Sequence, residues 1–412
     1  MDSKENLIEN QTQDASLKAV WIGLCLYCIT STFSISASQI SLGIAFLGTV
    51  AAFRKGLIKP YFRTFDKAFA FFAVTGFFSI FNAVSIVRAI VEMKKFLVPL
   101  AYFLPVWFPM HPKQRDALAK ILIISTSSIA LIAIMLDLYR ILATGFNYPV
   151  QGFFSLTTTF GEFQTLIFIF TLGFIENQKQ FFSRPAIFFL LLFQLGGVFL
   201  SYCRGAILGL IMGITTMFFK TPKKLIMFAI ILIGTTLFTA QISTFFGKSH
   251  FLVIKHVDPD QIERGGLLSE RLRTWQNGLT IFLNFPIFGI GMNNVKQYTY
   301  DLATPFERER NFYFGHLHNS FLQILAMTGF LGLSAFFWYF IELGLFFKNS
   351  GVTEVDPHQK KLFQTGIPLI MAFIFFGIPE YAFGNEEIAM LFFFLSGLIL
   401  NKHVLSSTNP QG

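Results

Sequence analysis

The chain has 412 residues, of which 53% are hydrophobic and only 13% charged, and 56 positions are phenylalanine. Such a composition excludes a soluble globular protein. The net charge of +9 is scattered between apolar runs, and no basic face with interleaved aromatics forms, which argues against nucleic acid as a partner.

In chain order, residues 1–16 (MDSKENLIENQTQDAS) are polar and mixed in charge, without the basic-then-apolar layout of a signal peptide. They read as a cytoplasmic tail, and the run behind them as an uncleaved insertion signal. Twelve apolar runs suited to crossing a hydrocarbon core follow, at about 17–33, 37–53, 68–84, 96–110, 118–138, 156–175, 185–201, 205–219, 225–241, 320–347, 362–380 and 386–402. The predicted fold class is therefore all-α, a polytopic membrane protein with about 12 transmembrane helices and one large outer loop. Helices 1–9 are expected over 17–241, the loop with short helices over 242–317, helices 10–12 over 318–402, and a second cytoplasmic tail over 403–412. Cys25 and Cys28 fall in the first run and Cys203 near an interface, so packing rather than disulfide or metal chemistry is expected of them.

Basic residues set the orientation. Arg54, Lys55, Lys59, Arg63, Lys67, Lys113, Arg115, Lys179, Arg184, Lys220, Lys223, Lys224, Lys348, Lys360 and Lys361 fall on one side. The opposite short loops carry Arg88, Lys94, Lys95, Arg140 and Arg204. The positive-inside rule then puts both ends in the cytoplasm and the large loop outside. Within that loop, Gly266–Phe285 sets Leu272, Trp275, Leu279 and Phe282 on a helical period, the pattern of a helix lying on a membrane surface. Pro286, Gly289 and Gly291 break it. The two halves of the chain show no repeat, which weakens a transporter reading without removing it.

The candidates for chemistry cluster around the loop. His318 starts the tenth run; its ordinary pKa near 6.5 leaves it mostly neutral and available as a base, although an interfacial histidine satisfied by water looks the same. Asn319 beside it can orient an imidazole or a sugar hydroxyl. His316 adds an HxH pair that lacks a nearby acidic third ligand, so no metal site is expected. Arg204, between two runs, reads either as an interface anchor or as an anion site, since a guanidinium matches phosphate oxygens bidentately. Arg271 and Arg273 precede Trp275 and are either a solvated face paired with Glu263 or Glu270, or part of a diphosphate clamp with Arg204. Glu162 and Glu380 are span-end carboxylates, either of which can neutralise an arginine. Arg88 is a further phosphate contact or an anchor.

Three local patterns in this chain resemble those of the bacterial O-antigen ligases, within the wider O-antigen ligase and polymerase superfamily. His318, Asn319, Gly329 and Gly332 match a motif of His, then Asn, Ser or Gln, nine residues, Gly, two residues, and Gly, Thr or Tyr. Arg271, Trp275, Pro286, Gly289 and Gly291 reproduce Arg-x3-Trp followed by Pro-x2-Gly-x-Gly, and Ser201, Arg204 and Gly205 reproduce Ser-x2-Arg-Gly. The likeness is residue-specific mainly over about 200–332. It implies a C-type glycosyltransferase-like enzyme of the bacterial inner membrane, with its site on the periplasmic face. Such an enzyme transfers a preassembled glycan from undecaprenyl diphosphate to a lipid A–core sugar, with inversion and with neither metal nor cofactor. His318 would be the base, with Arg204, Arg271 and Arg273 on the diphosphate and Asn319, His316, Arg88 and Glu380 in support. Its partners would be the lipid-linked donor, the lipid A–core acceptor and membrane lipids. An O-antigen polymerase using the same donor is the nearer alternative, and a transporter or flippase the farther one.

Overall fold

The structure, a computed structural model, describes residues 14–144, 149–175, 182–245, 266–303 and 316–401. Most of both tails and residues 246–265 and 304–315 of the expected loop lie outside the described residues, as does Glu263. Every regular element among the described residues is helical. The α-helices are α1 (Ala15–Thr30), α2 (Ile35–Arg54), α3 (Thr64–Phe78), α4 (Ile86–Glu92), α5 (Leu100–Trp107), α6 (Pro112–Thr144), α7 (Thr157–Ile175) and α8 (Arg184–Leu200). Then come α9 (Arg204–Phe218), α10 (Pro222–Phe245), α11 (Gly266–Asn284), α12 (Val295–Leu302), α13 (Ser320–Thr353), α14 (Pro357–Phe376) and α15 (Glu386–Leu400).

Among the described residues, 5 helical stretches are long and apolar enough to cross a membrane: Ile35–Arg54, Thr64–Asn82, Pro112–Thr144, Thr157–Ile175 and Ser320–Thr353. Eleven of the twelve expected runs coincide with a helix, several of them short. The run at 96–110 does not hold one continuous helix. From Ile86 to Trp107 the chain is cut into α4, a 3-10 turn over Met93–Leu97, and the 8-residue α5. Pro99 precedes α5 and Pro105 sits inside it, and a proline can neither donate its backbone bond nor let the preceding turn close normally.

α7 and α15 form the centre of the bundle, buried along nearly their whole length. Their apolar side chains point in all directions because other helices cover every face. Phenylalanine fills the space between them and α13 and α14; Phe373 stacks on Phe392 with ring centroids 4.5 Å apart. Offset aromatic pairs of this kind add about 0.5–1.5 kcal/mol beyond area burial. Small residues bring other pairs closer. A Cβ at Gly23 of α1 would lie 2.6 Å from the Ala45 backbone nitrogen of α2, and one at Gly48 would lie 2.8 Å from the Ser16 carbonyl, so α1 and α2 pack backbone to backbone.

α13 is not a single straight helix. Gly329 has φ +67 and ψ −168 and breaks it into two. The Phe330 N–H donates to the Pro286 carbonyl at 2.8 Å, while the Ala326 and Met327 carbonyls accept from Ile290 and Gly291 at 3.0 Å each. The turn after α11 thus supplies the partners that the interrupted helix lacks. A Cβ on Gly329 would lie 2.2 Å from the Ile287 carbonyl oxygen, and one on Gly289 would lie 2.4 Å from the Met327 carbonyl carbon. Both positions require glycine for contact as well as for their positive φ. The glycines of two sequence motifs are therefore one docking joint. It fastens α11 and α12 to the start of α13.

Candidate active site

The first turn of α13 is built by its own sequence. Asn319 is the N-cap; its side-chain oxygen accepts from the Leu322 N–H at 2.9 Å, as N-cap asparagines do. Its amide nitrogen donates to the Ile378 carbonyl at 3.0 Å. The Ser320 N–H donates to the Gly377 carbonyl at 2.7 Å, and the Ser320 hydroxyl donates to the Glu380 carbonyl at 3.2 Å. Asn319 and Ser320 thus hold the segment after α14 that carries Glu380. Asn319 is placed for capping and tethering, not for orienting the imidazole. His318 just before it adopts φ +48. A left-handed conformation is uncommon for a residue with a Cβ and signals a side chain held in place by its surroundings.

Glu380 is the hub. One of its carboxylate oxygens accepts from Arg271 Nη2 at 3.1 Å and the other lies 3.2 Å from His318 Nδ1. The side chains in this row are 40%, 20% and 27% exposed for Arg271, Glu380 and His318, so the row is shielded yet reachable. Arg271 arrives there through the packing of α11. Thr274, Gly278 and Ile281 follow it on one buried face, where Gly278 and Ile281 meet Leu317 and the start of α13. Arg273 lies off that face and is exposed, as are Leu272, Leu279 and Leu283. The exposed apolar edge agrees with a helix lying on a membrane surface.

His316 packs edge-on against His318, with ring centroids 4.2 Å apart. Burial, helped by the neighbouring His318, holds its pKa below the usual histidine value. Its Nδ1 is buried with no hydrogen-bond partner among the described residues. Arg204 begins α9 and is exposed. The turn before it is shaped by Tyr202 at φ +53, by Ser201, whose hydroxyl accepts from the Cys203 N–H at 3.2 Å, and by Cys203, whose thiol caps Ala206 at 3.4 Å. Burial pushes the Cys203 thiol well above its ordinary pKa, and Glu162 adds to the effect, so this cysteine is inert. A Cβ on Gly205 would lie 3.3 Å from Pro379 and 3.4 Å from Glu162 Oε1. The arginine's backbone therefore borders the same site, although among the described residues its guanidinium pairs with neither Glu162 nor Glu380.

The structure thus brings together His318, His316, Glu380, Arg271 and Asn319, and sets Arg204 at their edge. Arg273 is exposed and off the buried face of α11, and Arg88 Nη1 donates to Gln297 of α12 at 3.2 Å. Of the two candidate carboxylates, Glu380 pairs with Arg271. Glu162 is 2% exposed, and its Oε1 has no partner among the described residues. Both carboxylates line a cavity of about 290 Å³, together with His316, Tyr381, Asn385 and Thr159. Glu386 and Glu387 of that cavity were not singled out in the sequence, where GNEE at a helix start reads as an ordinary cap with acidic first-turn residues.

A cation, a carboxylate and an imidazole meet at one end of a helical bundle that includes helices long and apolar enough to cross a membrane. The three sequence motifs that build that end all fall within residues 187–337, and this segment matches the family model described as O-antigen ligase. The match assigns residues 187–337 to the O-antigen ligase family. No curated protein matches the chain.

Proposed function

We propose that this protein is an O-antigen ligase. It takes a preassembled glycan from undecaprenyl diphosphate and joins it to a lipid A–core sugar on the periplasmic face of the inner membrane. The coarser part of this reading, glycosyl transfer of the ligase or polymerase kind from lipid-linked glycans, follows from the family. The observation that carries the rest is the double engagement of Glu380 by Arg271 and His318.

In the proposed step an acceptor hydroxyl attacks the anomeric carbon while the bond from that carbon to the diphosphate oxygen breaks. The bonding pair leaves with the diphosphate, and single displacement inverts the anomeric centre. The hydroxyl proton goes to His318. With Nδ1–H donating to Glu380, Nε2 is the nitrogen that receives it, and the carboxylate stabilises the resulting imidazolium. Arg271, with Arg204 alongside, stabilises the charge gathering on the diphosphate. A lipid diphosphate is already a good leaving group, so guanidinium charge serves where a divalent cation otherwise would. The complete motif of His318, Asn319, Gly329 and Gly332 supports the ligase over the polymerase reading.

Deleting the gene and resolving the cell's lipopolysaccharide on a gel tests this reading. Bare core, with long glycan chains retained on the lipid carrier, is the expected result. Core capped with a single repeat would make the protein a polymerase, and unchanged lipopolysaccharide would overturn both.

A further inference from the structure

The cavity beside Glu380 is chemically unlike the arginine side of the row. Glu162, Glu380, Glu386 and Glu387 all line it, together with Asn385 and Thr159, and among the described residues no lysine or arginine does. Carboxyl groups with no basic residue beside them in the lining disfavour a phosphate. They are good acceptors for hydroxyl groups, and an amide both gives and takes hydrogen bonds. Glu386 is already engaged, accepting from Gln39 Nε2 at 2.8 Å and lying 3.8 Å from Lys94, and the Asn385 amide donates to Thr159 at 2.7 Å. Two polar atoms of the lining are buried with no partner among the described residues: Glu162 Oε1 and His316 Nδ1. A buried polar atom that finds no protein partner is costly unless something else fills its place. Glu162 is itself 2% exposed, so a molecule in the cavity is the group placed to meet it.

We infer that this cavity is the subsite for the acceptor's sugar ring, an uncharged and hydroxyl-rich ligand whose hydroxyls bond Glu162 and His316. The assignment rests on the transfer reading above. In a single displacement the attacking hydroxyl and the departing diphosphate stand on opposite sides of the reacting carbon. Arg271 holds one oxygen of Glu380 and does not line the cavity, so the diphosphate belongs to the arginine side and the acceptor to the carboxylate side.

The test uses the full-length protein in lipid nanodiscs, with undecaprenyl-diphosphate-linked glycan as donor and purified core-terminated lipopolysaccharide as acceptor, each varied at saturating amounts of the other. Glu162→Gln exchanges the carboxyl for an amide of the same size, altering the hydrogen bonds it can offer a hydroxyl, and should raise the acceptor KM roughly 10-fold, leaving the donor KM unchanged. Ser155→Trp fills the cavity mouth from an exposed position, where folding is not at stake, and should act the same way. Thermal midpoints of both variants set the comparison at equal folded protein. A rise in donor KM instead, or an acceptor KM unmoved in both variants while the unmodified protein transfers normally, would overturn the subsite. Absence of transfer by the unmodified protein would overturn the transferase reading, and the subsite with it.

Discussion

Two regions of the molecule hold an arginine, a carboxylate and a histidine in contact. At one end Arg271, Glu380 and His318 form a row; at the other Arg115 binds Asp116 at 3.1 Å, and Asp116 lies 3.3 Å from His358 Nε2. α14 runs between them, and its 20 residues separate the two rows by about 30 Å. Arg115 and Asp116 are each 6% exposed and His358 is 9% exposed. This second row lies entirely on helices and is tied down further, since Arg115 also bonds Gln359, whose amide donates to the Ile399 carbonyl at 2.8 Å. In the row at His318, Arg271 lies on α11 but His318 and Glu380 sit on irregular backbone; the row stays partly exposed, and its carboxylate opens onto a cavity. Access, a cavity and the left-handed backbone of His318 separate the row proposed for chemistry from the row that pins helices together.

The comparison breaks most easily at the two histidines. His318→Ala should cost about 10²–10⁴-fold in turnover, the usual share of a general base, with the thermal midpoint nearly unchanged. His358→Ala should do the reverse, lowering the midpoint and leaving turnover per folded molecule intact. Comparable losses of turnover in both would erase the distinction. The carboxylates sharpen it. Asp116→Ala strands a buried guanidinium and should cost about 3–5 kcal/mol of stability, read from denaturation in detergent. Glu380→Ala should cost far less, because a partly exposed pair contributes little, but should depress turnover by misplacing His318 and freeing Arg271.

Asn319→Ala has a smaller expected effect. Loss of the cap should lower stability by about 0.5–2 kcal/mol and loosen the tether to Ile378, so a modest fall in turnover should accompany it. A large fall in turnover with full stability would return Asn319 to direct contact with substrate. The smallest effect concerns His316, whose pKa burial holds low. The unfolded chain takes up a proton there at a higher pH than the folded one does. Stability should therefore decline as pH falls from about 6.5 toward that lowered value, and be level above it. His316→Gln should flatten this decline, as judged by melting at pH 7 and pH 5.

Much of this arrangement was legible in the sequence, and the rest was hidden for identifiable reasons. Apolar runs and basic loops marked the helices, and the histidine motif pointed to the start of α13. The run at 96–110 reads as a span because hydropathy sums over a window and does not register how Pro99 and Pro105 cut it. The kink at Gly329 is invisible because its cause, the turn at Pro286, lies some 40 positions earlier in the chain. The choice between Glu162 and Glu380 could not be made because the partners of Glu380 are 62 and 109 positions away. Helical period tells which residues share a face but not which distant helix that face meets. The same limit made Arg271 and Arg273 look equivalent, whereas only Arg271 continues the buried face of Thr274, Gly278 and Ile281.

The central claim is that this end of the bundle moves a glycan from a lipid diphosphate to an acceptor sugar, using guanidinium charge and a histidine base. The most direct test incubates the purified protein with undecaprenyl-diphosphate-linked glycan and core-terminated lipopolysaccharide in buffer containing EDTA. Core-linked glycan should form with its anomeric configuration inverted, and His318→Ala should nearly abolish it. Retained configuration, or activity lost to EDTA and restored by magnesium or manganese, would contradict the account.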